Sequence, residues 1–228
     1  MATLKFTTNE AVGFSWGIVK THFWLLVGIV LIMLFLPLPF RLIGNEFKNA
    51  GGNFASTAFI FSLAAFVLDI ILQLGVFRVC LAFVRGSTPK VSDLFKEYNF
   101  FFKYLGASIL YGLIVVGGLI LLIVPGVIWS IKFSMYGYFI IDKNVGPIEA
   151  LKMSADLTAG SKGKLFLLNL TLVGINILGL LALGVGVIIT AGMSLVVGAW
   201  VYNRLLNTSD VVPVPTPLVP PTPIEPVV

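Results

Sequence analysis

The chain has 228 residues, of which 58% are hydrophobic and only 11% are charged, and its mean hydropathy is +1.02. This excess of apolar residues excludes an ordinary water-soluble domain, and the net charge of +5 is spread along the chain rather than gathered into a soluble basic domain of the kind that binds nucleic acid. The composition therefore predicts an all-α membrane protein, a polytopic helical bundle in which each crossing uses about 20 apolar residues.

Four apolar stretches predict six membrane spans. Residues 21–40 and 54–77 are each expected to form one span, and Asp69 is the only charged residue in the second stretch. The stretches 104–141 and 165–203 hold 38 and 39 residues. Each would extend about 57 Å as a single helix, nearly twice the thickness of the hydrocarbon layer. Both are therefore expected to fold back as hairpins, and a kinked re-entrant pair is the alternative.

Proline and glycine supply the expected hinges, at Pro125 and Gly126 in the first long stretch and at Gly184 and Gly186 in the second. The predicted membrane domain covers residues 1–207 and contains three hairpins. Its spans are expected at about 21–40, 54–84, 104–124, 126–141, 165–183 and 187–205.

A short interfacial helix is predicted before each pair of spans. Thr7 and Glu10 have the spacing of a capping box that opens the first helix. Ser92 is expected to cap the second, Pro147 suits the first turn of the third, and Gly160 can end it. The chain is therefore predicted to contain three related units, each made of an interfacial helix and a hairpin.

The distribution of Lys and Arg predicts the orientation, because short basic loops stay in the cytoplasm. With the amino end inside, eleven basic residues fall in cytoplasmic segments, namely Lys5, Lys20, Arg85, Lys90, Lys96, Lys103, Lys143, Lys152, Lys162, Lys164 and Arg204. Only Arg41 and Lys48 fall on the opposite side. Both termini are therefore predicted to be cytoplasmic, with the basic segments held against the anionic head groups of membrane lipids.

The end of the chain has a different composition, since seven of the last 16 residues are proline. Residues 208–228 are expected to form an extended, disordered cytoplasmic tail. Recognition by domains that bind proline-rich ligands is the alternative.

Asp69 and Lys132 are expected near mid-membrane depth, where an ionisable side chain is costly and is by default a functional hypothesis. Spans two and four run in the same direction, so a direct ion pair between these residues is geometrically allowed. Gln73 lies one helical turn after Asp69. Two interpretations follow: a proton or ion relay, or an interhelical tie that fixes the packing.

Other polar residues carry weaker signals. Asn169 and Asn176 lie on one face of span five, where hydrogen bonding between helices is the expected use and substrate lining the alternative. His22 is the only histidine, which excludes two-histidine metal sites within one chain. The sequence predicts no catalytic residue, metal or cofactor, and Cys80 is expected to serve packing.

One set of motif residues in the second half of the chain resembles a known family. It comprises Pro125, Gly126, Asp142, Glu149, Ser154 and Gly160. These residues resemble the bacterial YciC-like or DUF975 integral membrane proteins, which are similar to the membrane domain of some glycerophosphoryl diester phosphodiesterases. The resemblance implies a multi-helix bundle in a prokaryotic plasma membrane, without an agreed activity. Phosphodiesterase chemistry is not implied, because it belongs to a separate soluble domain.

The leading functional hypothesis is a non-enzymatic accessory or scaffold bundle that associates with membrane lipids and with a membrane-protein partner. A small transporter or channel with a path near Asp69 and Lys132 is the alternative. A lipid-modifying enzyme would instead need polar side chains clustered around Asp142, Glu149 and Asp156.

Overall fold

The computed structural model describes residues 7–49, 55–181 and 185–208. Within these ranges all regular secondary structure is helical, so the predicted all-α class is confirmed. The α-helices are α1 (Thr8–Thr21), α2 (Phe23–Phe35), α3 (Leu38–Asn49), α4 (Ala55–Val84), α5 (Phe101–Leu121), α6 (Ile123–Lys132), α7 (Tyr136–Lys143), α8 (Pro147–Leu157), α9 (Lys162–Leu181) and α10 (Val185–Thr208). Two 3₁₀ turns, Val91–Phe95 and Tyr98–Phe100, precede α5. The hinge predicted at Gly184 and the tail after Thr208 lie outside the described residues.

In the described part of the chain, six helical segments are long and apolar enough to cross a membrane, which confirms the predicted bundle of about six crossing helices. Three of them combine consecutive elements: α2 with α3, the 3₁₀ turns with α5, and α6 with α7. The others are α4, α9 and α10, each a single continuous helix. These six segments fit a membrane protein by their length and composition.

The first interfacial helix begins as predicted. The Thr7 hydroxyl accepts a hydrogen bond from the Glu10 backbone N–H at 3.3 Å, and the Glu10 carboxylate accepts one from the Thr7 N–H at 3.1 Å. This reciprocal pair is a capping box. The helix then packs on α10 and buries Ala11, Ser15 and Val19.

The prediction of a second interfacial helix is wrong, because the segment before α5 forms 3₁₀ turns. Ser92 does not cap them; the Asp93 carboxylate accepts the Lys90 N–H at 2.8 Å instead. The physical reason is close packing on α4, where a β-carbon at Gly75 would collide with the backbone of Leu94. The backbone of the turn therefore lies directly against α4 at Gly75.

The third predicted helix is present as α8. Pro147 occupies its first turn, and the chain turns away at Gly160, whose φ is +78°. An α-helix therefore precedes the first and third pairs of spans, while turns precede the second.

Helical structure extends beyond the predicted end of the first span at residue 40. Alone, the 13 residues of α2 would reach only about 20 Å, too short for a crossing. After a break at Pro37 the chain continues as α3, which packs antiparallel on the first half of α4. Phe47 stacks on Phe61 there, with ring centroids 6.0 Å apart. Arg41, predicted to lie in an outer loop, is therefore part of a helix.

The α5–α6 reversal lies at Leu122, not at the predicted hinge of Pro125 and Gly126. Leu122 is extended, with φ −165° and ψ 149°. Pro125 falls in the first turn of α6, where its missing N–H costs no hydrogen bond. Gly126 permits the close approach of the two helices, because a β-carbon there would lie 2.6 Å from Leu119 Cγ.

Span four is interrupted between α6 and α7, and α8 supplies the missing hydrogen bonds. The Met135 N–H donates to Ser154 Oγ at 3.0 Å, and that hydroxyl donates to the Lys132 carbonyl at 3.1 Å. Thr158 Oγ1 donates to the same carbonyl at 2.9 Å. Side chains of α8 thus satisfy backbone groups that the interruption releases.

The best-packed core lies where the second half of α4 meets α7 and α10. Leu74, Phe139 and Tyr202 are completely buried there. Large apolar side chains at the far ends of α5 and α9, such as Ile120 and Leu181, are exposed at 79% and 75%. The bundle is therefore tightly closed at one end and presents apolar surface at the other, as lipid contact requires.

We predict that Ser154→Ala lowers the free energy of unfolding by about 1–3 kcal/mol, because the buried Met135 N–H loses its partner. Reversible unfolding in detergent measures the change. Ser15→Ala is the matched control, since the Ser15 hydroxyl is equally buried and has no hydrogen-bond partner among the described residues. Equal losses in the two variants would contradict the assigned role of Ser154.

Candidate functional site

Asp69 lies halfway along α4, and its partner is Arg41 on α3. Arg41 Nη2 donates to Asp69 Oδ2 in a direct ion pair. Asp69 is the fifteenth of the 30 residues of α4, so both charges sit far from either end of that helix. Gln73, one turn further on, is partly buried. Asp69 therefore takes part in an interhelical tie, with Arg41 as the partner.

Lys132 is the last residue of α6. Its ammonium nitrogen lies 5.2 Å from the ring centroid of Phe133. The structure therefore does not bring Lys132 to Asp69, and the ion pair that the sequence allows between them is not formed.

The two asparagines of α9 also differ in their environments. Asn176 Nδ2 donates to Ser194 Oγ on α10 at 2.9 Å, which joins the two helices. Asn169 is exposed and, together with Ser194 and Tyr138, lines a cavity of about 210 Å³ between α7, α9 and α10.

A larger and more polar cavity, of about 450 Å³, lies between the end of α4, the turn at Val91–Phe95 and the end of α7. We call it the charged cavity, because half of its lining residues carry a charge. Its lining consists of Arg78, Leu81, Ala82, Arg85, Ser87, Thr88, Pro89, Asp93, Lys96, Glu97, Ile141 and Asp142.

Each acid of the charged cavity is paired with a cation of the lining, and Asp142 Oδ2 also lies 3.9 Å from Lys143 Nζ, outside the lining. The nitrogen–oxygen distances are 2.6 Å for Arg85–Asp142, 2.6 Å for Lys96–Asp93 and 3.4 Å for Arg78–Glu97. Three acids balance three bases, so the cavity has no formal net charge of its own. Neutral pairing of this kind lowers the cost of bringing charges close to an apolar core.

Burial within these pairs is unequal. The side-chain exposures, acid then base, are 7% and 44% for Asp142–Arg85, 10% and 57% for Glu97–Arg78, and 23% and 65% for Asp93–Lys96. The carboxylates are therefore the buried members and the cationic groups the accessible ones. In each pair the less exposed carboxylate restrains the more exposed cationic group.

Asp142 links the charged cavity to the core. Its Oδ2 accepts a hydrogen bond from Tyr202 Oη at 2.9 Å, while its Oδ1 meets Arg85. The Tyr202 ring stacks on Tyr138, with centroids 5.2 Å apart, and Tyr138 contacts Phe77 at 4.6 Å. One carboxylate thus connects α4, α7 and α10.

The other acids expected near Asp142 lie elsewhere. Glu149 and Asp156 are exposed on α8 and do not line the charged cavity. The polar cluster that a lipid-modifying enzyme would need around these three acids is therefore not assembled. Across the described ranges, no three His, Cys, Asp or Glu side chains are grouped closely enough to hold a metal ion.

Arg78 and Glu97 were not singled out by the sequence analysis, although both belong to the charged cavity. A signal for Arg78 was available. It lies within the span predicted at 54–84 and seven residues before Arg85, which places both arginines on one face of a helix. Glu97 had no comparable signal, because only the folded turn brings it to α4.

We predict that Arg41→Gln and Asp69→Asn are energetically coupled. A double-mutant cycle on the free energy of unfolding should give a coupling above about 0.5 kcal/mol, as expected for residues in direct contact. The same cycle on Asp69→Asn and Lys132→Met should be additive. Coupling of Asp69 to Lys132 without coupling to Arg41 would contradict the assigned pairing.

Comparison with known proteins gives a family match and distant relatives. Residues 113–207 match the family described as "Protein of unknown function (DUF975)". An uncharacterized protein of Mycobacterium bovis is 25% identical over 147 residues, which cover 64% of this chain and 45% of the relative. An uncharacterized protein of Mycobacterium tuberculosis matches with the same identity and coverage. The chain thus spans less than half the length of these curated relatives.

No solved structure matches this chain. The family match ends within α10 and includes all six motif residues: Pro125, Gly126, Asp142, Glu149, Ser154 and Gly160. Over residues 113–207, the chain is similar to the DUF975 family, whose function is unknown.

Proposed function

We propose that this chain is a non-enzymatic accessory or scaffold bundle of a prokaryotic plasma membrane. The observation that carries the proposal is that the polar groups which would have to line one transport path each contact a different partner. Asp69 is tied to Arg41, Lys132 lies against Phe133, and Asn176 joins α9 to α10. Each of these groups is used locally for packing.

The core between α4, α7 and α10 supports the same proposal. Aromatic rings of Phe77, Tyr138 and Tyr202 contact one another in its centre. Close-packed rings make this part of the bundle rigid, and the space left beside Tyr138 is a cavity of only about 210 Å³. A rigid membrane body with an apolar outer surface suits association with other membrane components.

The chemistry of the charged cavity also favours a non-enzymatic role. Its acids are held in ion pairs, and neither His22 nor Cys80 lines it. We therefore assign no catalytic residue or cofactor. The predicted similarity to the membrane domain of glycerophosphoryl diester phosphodiesterases is not extended to any phosphodiesterase activity of this chain.

We further propose that both termini face the cytoplasm and that anionic lipid head groups bind the basic segments. The support is the basic bias of the segments between α4 and α5 and between α7 and α9, which include Lys90, Lys96 and Lys152. Each such residue near an anionic leaflet contributes about 1 kcal/mol of attraction.

The orientation predicts the labelling of single cysteines in intact cells. A membrane-impermeant maleimide should label Lys48→Cys directly and should label Lys152→Cys only after the membrane is permeabilised. The native Cys80 is 2% exposed and therefore gives little background. Labelling of Lys152→Cys from outside would contradict the proposed orientation.

The scaffold proposal predicts no transport. Proteoliposomes that contain the full chain should pass protons and potassium ions at the rate of protein-free vesicles, measured with pH-sensitive and potassium-sensitive dyes. Asp69→Asn and Lys132→Met should leave this background unchanged. Flux above background that either variant abolishes would overturn the proposal in favour of a small transporter or channel.

A further inference from the structure

We propose that the charged cavity binds a phosphate group, with Arg78 and Arg85 as its principal ligands. The proposal goes beyond the scaffold role, because it assigns a ligand chemistry to one site on the bundle. Its starting point is the unequal burial of the three ion pairs. The accessible polar groups of the cavity are mainly hydrogen-bond donors.

Two of the three carboxylates, Asp142 and Asp93, have both oxygens engaged, and the side chain of the third, Glu97, is 10% exposed and pairs with Arg78 through Oε1. Both oxygens of Asp142 are engaged, by Arg85 and by the Tyr202 hydroxyl. Both oxygens of Asp93 are engaged as well, by the Lys96 ammonium and by the Lys90 backbone N–H. A ligand cation would therefore have to displace existing partners.

The arginines retain unused donors. A guanidinium has five N–H donors, whereas the ion pairs engage Arg78 through Nη1 and Arg85 through Nη2. The two side chains are 57% and 44% exposed. Because the buried acids fix one side of each guanidinium, the remaining donors are already positioned for an incoming anion.

The rest of the lining has compatible chemistry. Ser87 and Thr88, whose side chains carry hydroxyl groups, line the cavity after a turn at Gly86 whose φ is +76°. The cavity volume of about 450 Å³ falls in the usual range for small-molecule sites, roughly 300–1,000 Å³. Phosphate offers several acceptor oxygens that match forked guanidinium donors better than a monovalent halide does.

Two sources could supply this group: the head group of an anionic phospholipid, or a free phosphate compound. The experiment therefore has two arms, both with the full chain. In the first, the protein in phosphatidylcholine nanodiscs is dialysed to equilibrium against radiolabelled inorganic phosphate. In the second, delipidated protein in detergent is titrated with phosphatidic acid and followed by native mass spectrometry.

Two variants break the same ion pair with opposite expected effects. Arg78→Gln removes a ligand, so binding should weaken at least about tenfold, the loss expected for a charged hydrogen bond. Glu97→Gln keeps a side-chain oxygen that can accept a hydrogen bond from Arg78 but removes the negative charge beside it, so binding of an anion should become tighter. Lys48→Gln removes an exposed basic residue at the end of α3, outside the cavity and outside the cytoplasmic basic segments, and should not change binding. Thermal unfolding of each variant verifies that it is folded.

The opposed effects at Arg78 and Glu97, in either arm, support the proposal, and the arm that shows them identifies the phosphate source. Equal losses in Arg78→Gln and Glu97→Gln would overturn it, because the pair would then act only in structure. A similar loss in Lys48→Gln, or no binding in either arm, would overturn it as well.

Discussion

Lipid offers no hydrogen-bond partner, so every interruption of a membrane helix needs one from the protein itself. In span four that partner is α8, whose Ser154 and Thr158 hydroxyls bind the backbone at Lys132 and Met135. The rest of the bundle depends on this contact. It allows α7 to start a new helix after the break, and α7 carries Asp142 to α4 and α10.

Charged side chains near the apolar core also need partners from the protein itself. Asp69 is compensated by Arg41 across two antiparallel helices, so neither charge stands alone along α4. In the charged cavity each buried carboxylate is compensated by a more accessible base. Pairing of this kind offsets a desolvation cost that an isolated charge could not bear. It also leaves donors on the accessible side, on which the proposed phosphate site depends.

The DUF975 match and the charged cavity overlap only in part. Asp142, Ser154 and Gly126 lie within residues 113–207, and each has a physical role in the structure. Asp142 links helices, Ser154 hydrogen-bonds the backbone at the break in span four, and Gly126 allows the close contact of α5 with α6. Arg78, Arg85 and Glu97 come from the part of the chain before that match. The cavity therefore combines a family segment with residues that the family match does not cover, and its ligand chemistry is a property to be tested in this chain.

The sequence by itself determined the all-α class, the six apolar segments, the capping box at Thr7 and the start of α8 at Pro147. These features follow from local composition and from hydrogen bonds between residues close in the chain. It did not determine the partner of Asp69, the reversal at Leu122, the turns before α5 or the meeting of Arg78 with Glu97. Those were decided by tertiary structure, because each depends on which helices become neighbours. Contacts between residues distant in the chain produce no periodic pattern in the sequence.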